Sequence, residues 1–201
     1  MSTIWLVDIV ERVDRDADAT RRRLLDAATQ EFARYGIAGA RVDRIAVQAR
    51  ANKAQIYHYF GNKDGLFDAV FSEMARETVD EVPIDANDLP EYAGRLHDSY
   101  RRRPWVQRLA TWYRLERGDA DSHALVETVV RSNQNKVEAI RQAQRAGAIP
   151  VRFSPAELLA LVLHLSSIWS VQLPESSAWS QELTVERRRQ VVVEAVAALI
   201  S

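Results

Sequence analysis

From Asp18 to the end of the chain, apolar residues recur at three- and four-residue spacing, and every break in that rhythm is a Gly, a Pro or a polar cluster. No stretch alternates apolar and polar residues well enough for a strand. The expectation is an all-α chain of about nine helices, with a three-helix N-terminal part and a C-terminal helical bundle.

The first helix is expected from about Ala19 to Tyr35, on Leu24, Leu25, Ala28, Phe32 and Tyr35, with Gly36 as its left-handed stop. Two short helices follow, Val42 to Ala49 and Lys53 to Phe60, joined by a tight turn at Arg50 and Ala51. Asn52 is placed to cap the second of them, Gly61 to end it, and Asn62 to cap a fourth helix running to about Asp80. Asp64 in that helix's first turn suits its dipole. Beyond Pro83, helices are expected near 90–102, 104–117, 122–146, 155–172 and 184–200, with Gly118, Gly147 and Pro174 at the breaks. Ser154-Pro155-Ala156-Glu157 is a capping box with proline at the first helical position. Residues 1–17 mix an apolar patch with acids and read as a helical or disordered arm, long enough to reach a neighbouring minor groove.

The chain has no cysteine, which removes disulfides, thiolate zinc sites and a cysteine nucleophile. No run approaches the roughly 20 apolar residues of a membrane span, and the N-terminus lacks a secretory leader, so a soluble cytoplasmic protein without a membrane partner is expected. Net charge is −1 but unevenly placed: residues 18–66 carry nine Lys or Arg against five acids, a net of +4. A basic head therefore sits on an acidic body.

A long helix followed by two short ones is the helix-turn-helix arrangement, whose last helix enters the major groove. In the presumed recognition helix, Ile56 and Phe60 can face inward onto Ile45, Val42 and Phe32, which leaves Lys53, Gln55, His58 and Tyr59 outward. That face suits bases and phosphates; a plain solvated helix surface is the alternative.

Several strings resemble the N-terminal domain of the TetR family. They are Thr20-Arg21, Asp26-Ala27-Ala28, Phe32 with Gly36, Val42-Asp43-Arg44-Ile45-Ala46, Ala49, and Lys53 through Leu66. The resemblance covers about the first third of the chain and implies a ligand-responsive homodimeric repressor binding double-stranded, palindromic operator DNA. Position by position it implies that Arg41 and Arg44 approach phosphates. Lys53, Ala54, Gln55 and His58 meet base edges, and Tyr57, Tyr59 and Lys63 clasp the backbone. Gln can pair with adenine through two hydrogen bonds, and Lys can donate to guanine or phosphate. Two positions depart from the family. Arg50 stands where glycine is usual in the turn, at a cost on the order of 1 kcal/mol if left-handed, and Arg41 replaces a Ser or Thr cap.

The resemblance also divides the chain into the arm (1–17), the DNA-binding domain (18–66) and a ligand-binding and dimerisation domain (67–201). The 155–172 helix is apolar around most of its circumference and must be buried on more than one side. The resemblance implies that it forms, with the last helix, a four-helix dimer interface through Leu158, Leu161, Val162, Leu165, Trp169, Val192, Val196 and Leu199. Both helices could instead be the core of a monomer. Phe71, Met74, His97, Tyr100, Trp105, Leu109, Trp112, Tyr113 and His123 are candidates to line a pocket for an unidentified small-molecule effector, or to be ordinary core.

No cofactor or metal site is expected, because His58, His97, His123 and His164 are scattered and no glycine-rich phosphate loop is present. A helix-turn-helix protein without effector is the closer alternative, and an enzyme with a helical-bundle site the remote one.

Overall fold

The computed structural model describes residues 3–117, 123–170 and 182–201, with the side chains of 3–15 and 123–128 set aside. Among the described residues there are nine helices and no strand: α1 (Thr3–Gly39), α2 (Val42–Gln48), α3 (Lys53–Phe60), α4 (Lys63–Glu81), α5 (Leu89–Arg102), α6 (Pro104–Arg117), α7 (His123–Arg145), α8 (Pro155–Ser167) and α9 (Val185–Leu199). The first helix starts well before Ala19 because no Gly or Pro interrupts residues 3–35, so the helix propagates through the arm. The expected breaks at Gly118 and Pro174 lie outside the described residues.

Local signals set most boundaries. Asn52 and Gln55 form a reciprocal capping box on α3, Ser154 and Glu157 form one on α8, and Asn62 accepts from the Gly65 amide at 2.8 Å. Gly36, Gly61 and Gly147 all have positive φ near breaks in the helical pattern. The 155–172 helix stops early, at Ser167. Ser166 and Ser167 turn their hydroxyls onto the carbonyls of Val162 and His164, and the backbone tightens into three-residue bonds at Ile168 and Ser170.

Contacts divide the chain into two compact units, and the division runs through α4 and α6. Segment 67–201 is therefore not one unit: residues up to Glu73 and those from Arg108 to the end of α6 belong with the head. In this first unit Leu24, Phe32, Ile45, Ile56, Leu66 and Phe67 are fully buried. Phe67 meets Phe32 edge-on at 5.2 Å, and Phe71 stacks on Tyr113 of α6 at 4.6 Å. In the second unit, α5 packs against both α8 and α9, and α7 against α8. Leu89, Tyr92, Leu96, Leu158, Val162 and Val196 fill that core.

Within the first unit, α6 reaches the end of α1. The Glu116 carboxylate accepts from the Ile37 and Ala38 amides at 3.0 and 2.7 Å, the donors freed where Gly36 breaks the helix at φ 71°. Arg117 pairs with Asp64 and Asp68 on one face of α4. A side chain at position 36 would collide with Glu116 and Trp112. Gly36→Ala should therefore lose about 1–3 kcal/mol, combining left-handed strain with displacement of Glu116. Urea unfolding checks this, and an unchanged midpoint would contradict it.

Candidate nucleic-acid interface

The second helix begins without a side-chain cap. Arg41 is extended (φ −120°, ψ 121°) and makes no capping bond. The acceptor arrives instead from α1: Glu31, 5 % exposed, takes the Arg41 amide at 2.9 Å and Nε of Arg44 at 2.8 Å. Arg44 also donates to the Gly39 carbonyl and lies 4.4 Å over the Tyr35 ring. The guanidinium expected at phosphate thus also ties α1 to α2. Glu31 escaped the sequence reading, although a signal existed: it occupies the same inward stripe as Leu24 and Ala28.

The turn into α3 contains Arg50 at φ 51°, the one non-glycine residue with positive φ among those described. Its strain is tolerated because the neighbouring backbone is held. Ala51 donates to the Ala46 carbonyl, and Arg23 donates from Nε to the Ala49 carbonyl at 3.2 Å. The Arg50 side chain remains exposed.

Ile56 is fully buried and anchors α3, while Phe60 is half-buried under the Arg21 guanidinium, 5.6 Å away. Lys53, Ala54, Tyr57 and His58 are exposed; Gln55 and Tyr59 are half-buried. His58 and Tyr59 meet edge-on at 5.3 Å. Lys53 pairs at 3.0 Å with Asp43 of α2, and this bond raises the ammonium's pKa. Lys63 lies close to the Ala38 and Ala40 carbonyls at 3.3 and 3.4 Å, where it supports the α1–α2 junction.

The expected pocket residues are divided. Phe71, Leu109, Trp112 and Tyr113 belong to the first unit, and Met74, His97, Tyr100 and Trp105 to the second. His123 has its side chain outside the described residues. Phe71 and Tyr113 cover each other in their stack. In the second unit, His97 is 2 % exposed, and the Ser166 backbone is the polar group beside its ring. Tyr92, five residues earlier on α5 and so on a different side of that helix, is fully buried with its hydroxyl unpartnered. Sequence reasoning passed over Tyr92 because its apolar ring matches the core periodicity.

Of the expected dimer residues, Leu158, Val162, Val192 and Val196 are buried inside the protomer. They face the α5–α8–α9 core, so a partner meets them only if the protomer rearranges. Leu161 is exposed, as is its neighbour Ile168, while Leu165, Trp169 and Leu199 are half-buried; the Trp169 indole donates to the Arg188 carbonyl.

A short helix with a polar exposed face, anchored through Ile56 and joined by a held turn to a second short helix, defines a helix-turn-helix DNA-binding protein. The comparisons with known proteins agree. Residues 24–70 match the bacterial regulatory proteins of the tetR family, and residues 88–197 match the tetracyclin repressor-like C-terminal domain. The HTH-type transcriptional repressor SCO4008 of Streptomyces coelicolor is 39 % identical over 80 % of this chain and 83 % of its own length. The HTH-type transcriptional repressor NicS of Pseudomonas putida is 35 % identical over 48 % of this chain and 50 % of its own. The crystal structure of the putative transcriptional regulator SCO4942 from Streptomyces coelicolor superposes with a TM-score of 0.80 at 38 % identity, covering 90 % of this chain and 97 % of that one. The chain belongs to the TetR family of transcriptional regulators. Among the described residues no helix is long and apolar enough to cross a membrane.

Burial holds the His97 imidazole below its usual pKa, with Asp98 and a hydrogen bond with the Ser166 backbone opposing the shift and Arg101 and Arg189 adding to it. The folded protein thus binds this proton less readily than the unfolded chain. The His97 contribution is complete above the unfolded value near 6.5 and is lost as pH falls through it toward the lower folded value. Urea unfolding between pH 7.5 and 5.5 should show wild type losing stability more steeply than His97→Leu; equal slopes would contradict this.

Proposed function

We propose that the chain is a cytoplasmic homodimeric repressor whose paired α3 helices read a palindromic operator in successive major grooves, and which answers a small-molecule effector. The observation that carries the DNA-binding part is the exposed face of α3, where Lys53, Ala54, Tyr57 and His58 stand free of the core that Ile56 anchors. Gln55 sits at the edge of that face, with Tyr59 and Lys63 behind it and Arg41 and Arg44 at the start of α2. Repression is supported by relatives whose names carry that sign.

The effector reading rests on the buried polar groups of α5. An unpartnered phenol, that of Tyr92, in an apolar interior costs free energy that a ligand's own donor or acceptor recovers on binding. Tyr92 and His97, with Tyr100 and Met74 on the same unit, are the residues assigned to that contact. Phe71, Leu109, Trp112 and Tyr113 would then support the head. Binding that favours one arrangement of the α4 and α6 connectors would change operator affinity by a coupling free energy.

The test uses the duplex that the wild-type chain selects from a randomised pool. Lys63→Ala should weaken binding about uniformly across sequences and make the salt dependence shallower by about one unit. Asp43→Asn frees Lys53 and removes an exposed negative charge beside it, so it should tighten binding and steepen the dependence. Unchanged slopes in both would overturn the reading. In the same assay, a hydrophobic compound that raises the thermal midpoint should change duplex affinity about 5- to 150-fold.

For the dimer, the residues still available are Leu161, Leu165, Trp169 and Leu199, with Ile168 continuing the outer stripe of α8. Leu161→Glu should convert a dimer at micromolar concentration into a folded monomer in sedimentation. A wild-type monomer would dismiss the assembly.

A further inference from the structure

The sequence expectation for Gln55 was the paired donor and acceptor contact to adenine, and the structure argues against it. Gln55 is the third residue of α3, and its side chain folds back on the helix start. Its Oε1 lies 2.9 Å from the Asn52 amide while the Asn52 Oδ1 takes the Gln55 amide at 2.9 Å. A backbone N–H can only donate, so the carboxamide atom facing Asn52 is the oxygen. The carbonyl is thereby turned back to the helix start, where one of its two lone pairs is taken, whereas the amino group makes no hydrogen bond among the described residues. Gln55 is half-exposed, in the first turn of a recognition helix, the part that meets base edges.

Resting on the DNA-binding reading above, we infer that Gln55 reads guanine through its amino group alone, its carbonyl being held by the cap. Adenine offers a donor beside its acceptor in the major groove and needs both halves of a glutamine. Guanine presents two acceptors, N7 and O6, and no donor. A glutamine whose carbonyl is turned to the cap presents its amino group first, which matches guanine and not the adenine amino group. The cap therefore sets base preference as well as helix stability: Asn52, which touches no base in this scheme, positions the reader.

The experiment is selection from a randomised duplex pool by the full-length wild type, Gln55→Ala and Gln55→Glu, with amide hydrogen exchange on the free proteins. Gln55→Ala locates the base pair by flattening its preference; guanine should be the base lost there. Gln55→Glu keeps an acceptor for the Asn52 amide but replaces the amino group with oxygen. It should retain protection of that amide and move the preference from guanine toward cytosine, whose amino group donates, by roughly fivefold or more in the ratio of the two. Gln55→Ala should lose the protection. Adenine at the affected position in the wild type, an unchanged preferred sequence with uniformly weaker binding by Gln55→Ala, or equal exchange at Asn52 in wild type and Gln55→Ala would each overturn the assignment. If the wild type enriched no sequence, the DNA-binding reading would fall, and this inference with it.

Discussion

The orientation of the helix-turn-helix depends on one buried carboxylate. Glu31 leaves the inward face of α1 and accepts from the Arg41 amide and the Arg44 guanidinium, both beyond the loop. A helix start normally draws its acceptor from its own cap residue. Here Arg41 cannot supply one, and the acceptor comes from ten residues upstream. The substitution has a geometric consequence, since a cap supplied by α1 fixes the angle between α1 and α2 as well as the start of α2. The desolvation of Glu31 is offset by a charged partner and a backbone amide together, the condition under which a buried acid is tolerated.

The same logic repeats along the first unit. Where Gly36 turns the chain, the freed amides of Ile37 and Ala38 go to Glu116; the carbonyls of Ala38 and Ala40 lie within reach of Lys63. Arg23 does the same for Ala49. These three segments of the head are thus each completed by a charged side chain from a helix elsewhere in the unit, while Asn52, Gln55 and Asn62 serve the starts of α3 and α4. This leaves the exposed face of α3 with few duties in the fold apart from the Gln55 cap and the Lys53–Asp43 pair. Arg44 and Lys63 hold backbone and also stand among the residues assigned to DNA, whereas Ala54, Tyr57 and His58 on α3 can vary with the DNA sequence while the scaffold stays intact.

Much of this was legible beforehand. The helix breaks at Gly36 and Gly61, the caps at Asn52 and Ser154 and the strained turn at Arg50 each follow from one residue's own stereochemistry or from a partner three positions away. What escaped were partners remote in sequence: Glu31 for Arg41 and Arg44, Glu116 for the end of α1. The four expected interface residues that turned inward, Leu158, Val162, Val192 and Val196, show the limit of periodicity. An apolar helix declares that it must be covered, but its pattern is the same whether the cover is α5 of its own chain or a second copy.

The amino-acid sequence by itself determined the helices, their order, the short-turn-short arrangement of the head and the chemistry on the surface of α3, because these depend on side-chain shape and on hydrogen bonds closed within about one helical turn. The tertiary structure decided which charges are spent on the fold and which remain outward, and that Tyr92 and His97 are each buried. It also decided that α6 contributes its end to the head. Those outcomes depend on which groups meet after some ten to eighty residues of chain have folded between them, and on the requirement that each donor buried in the process find an acceptor.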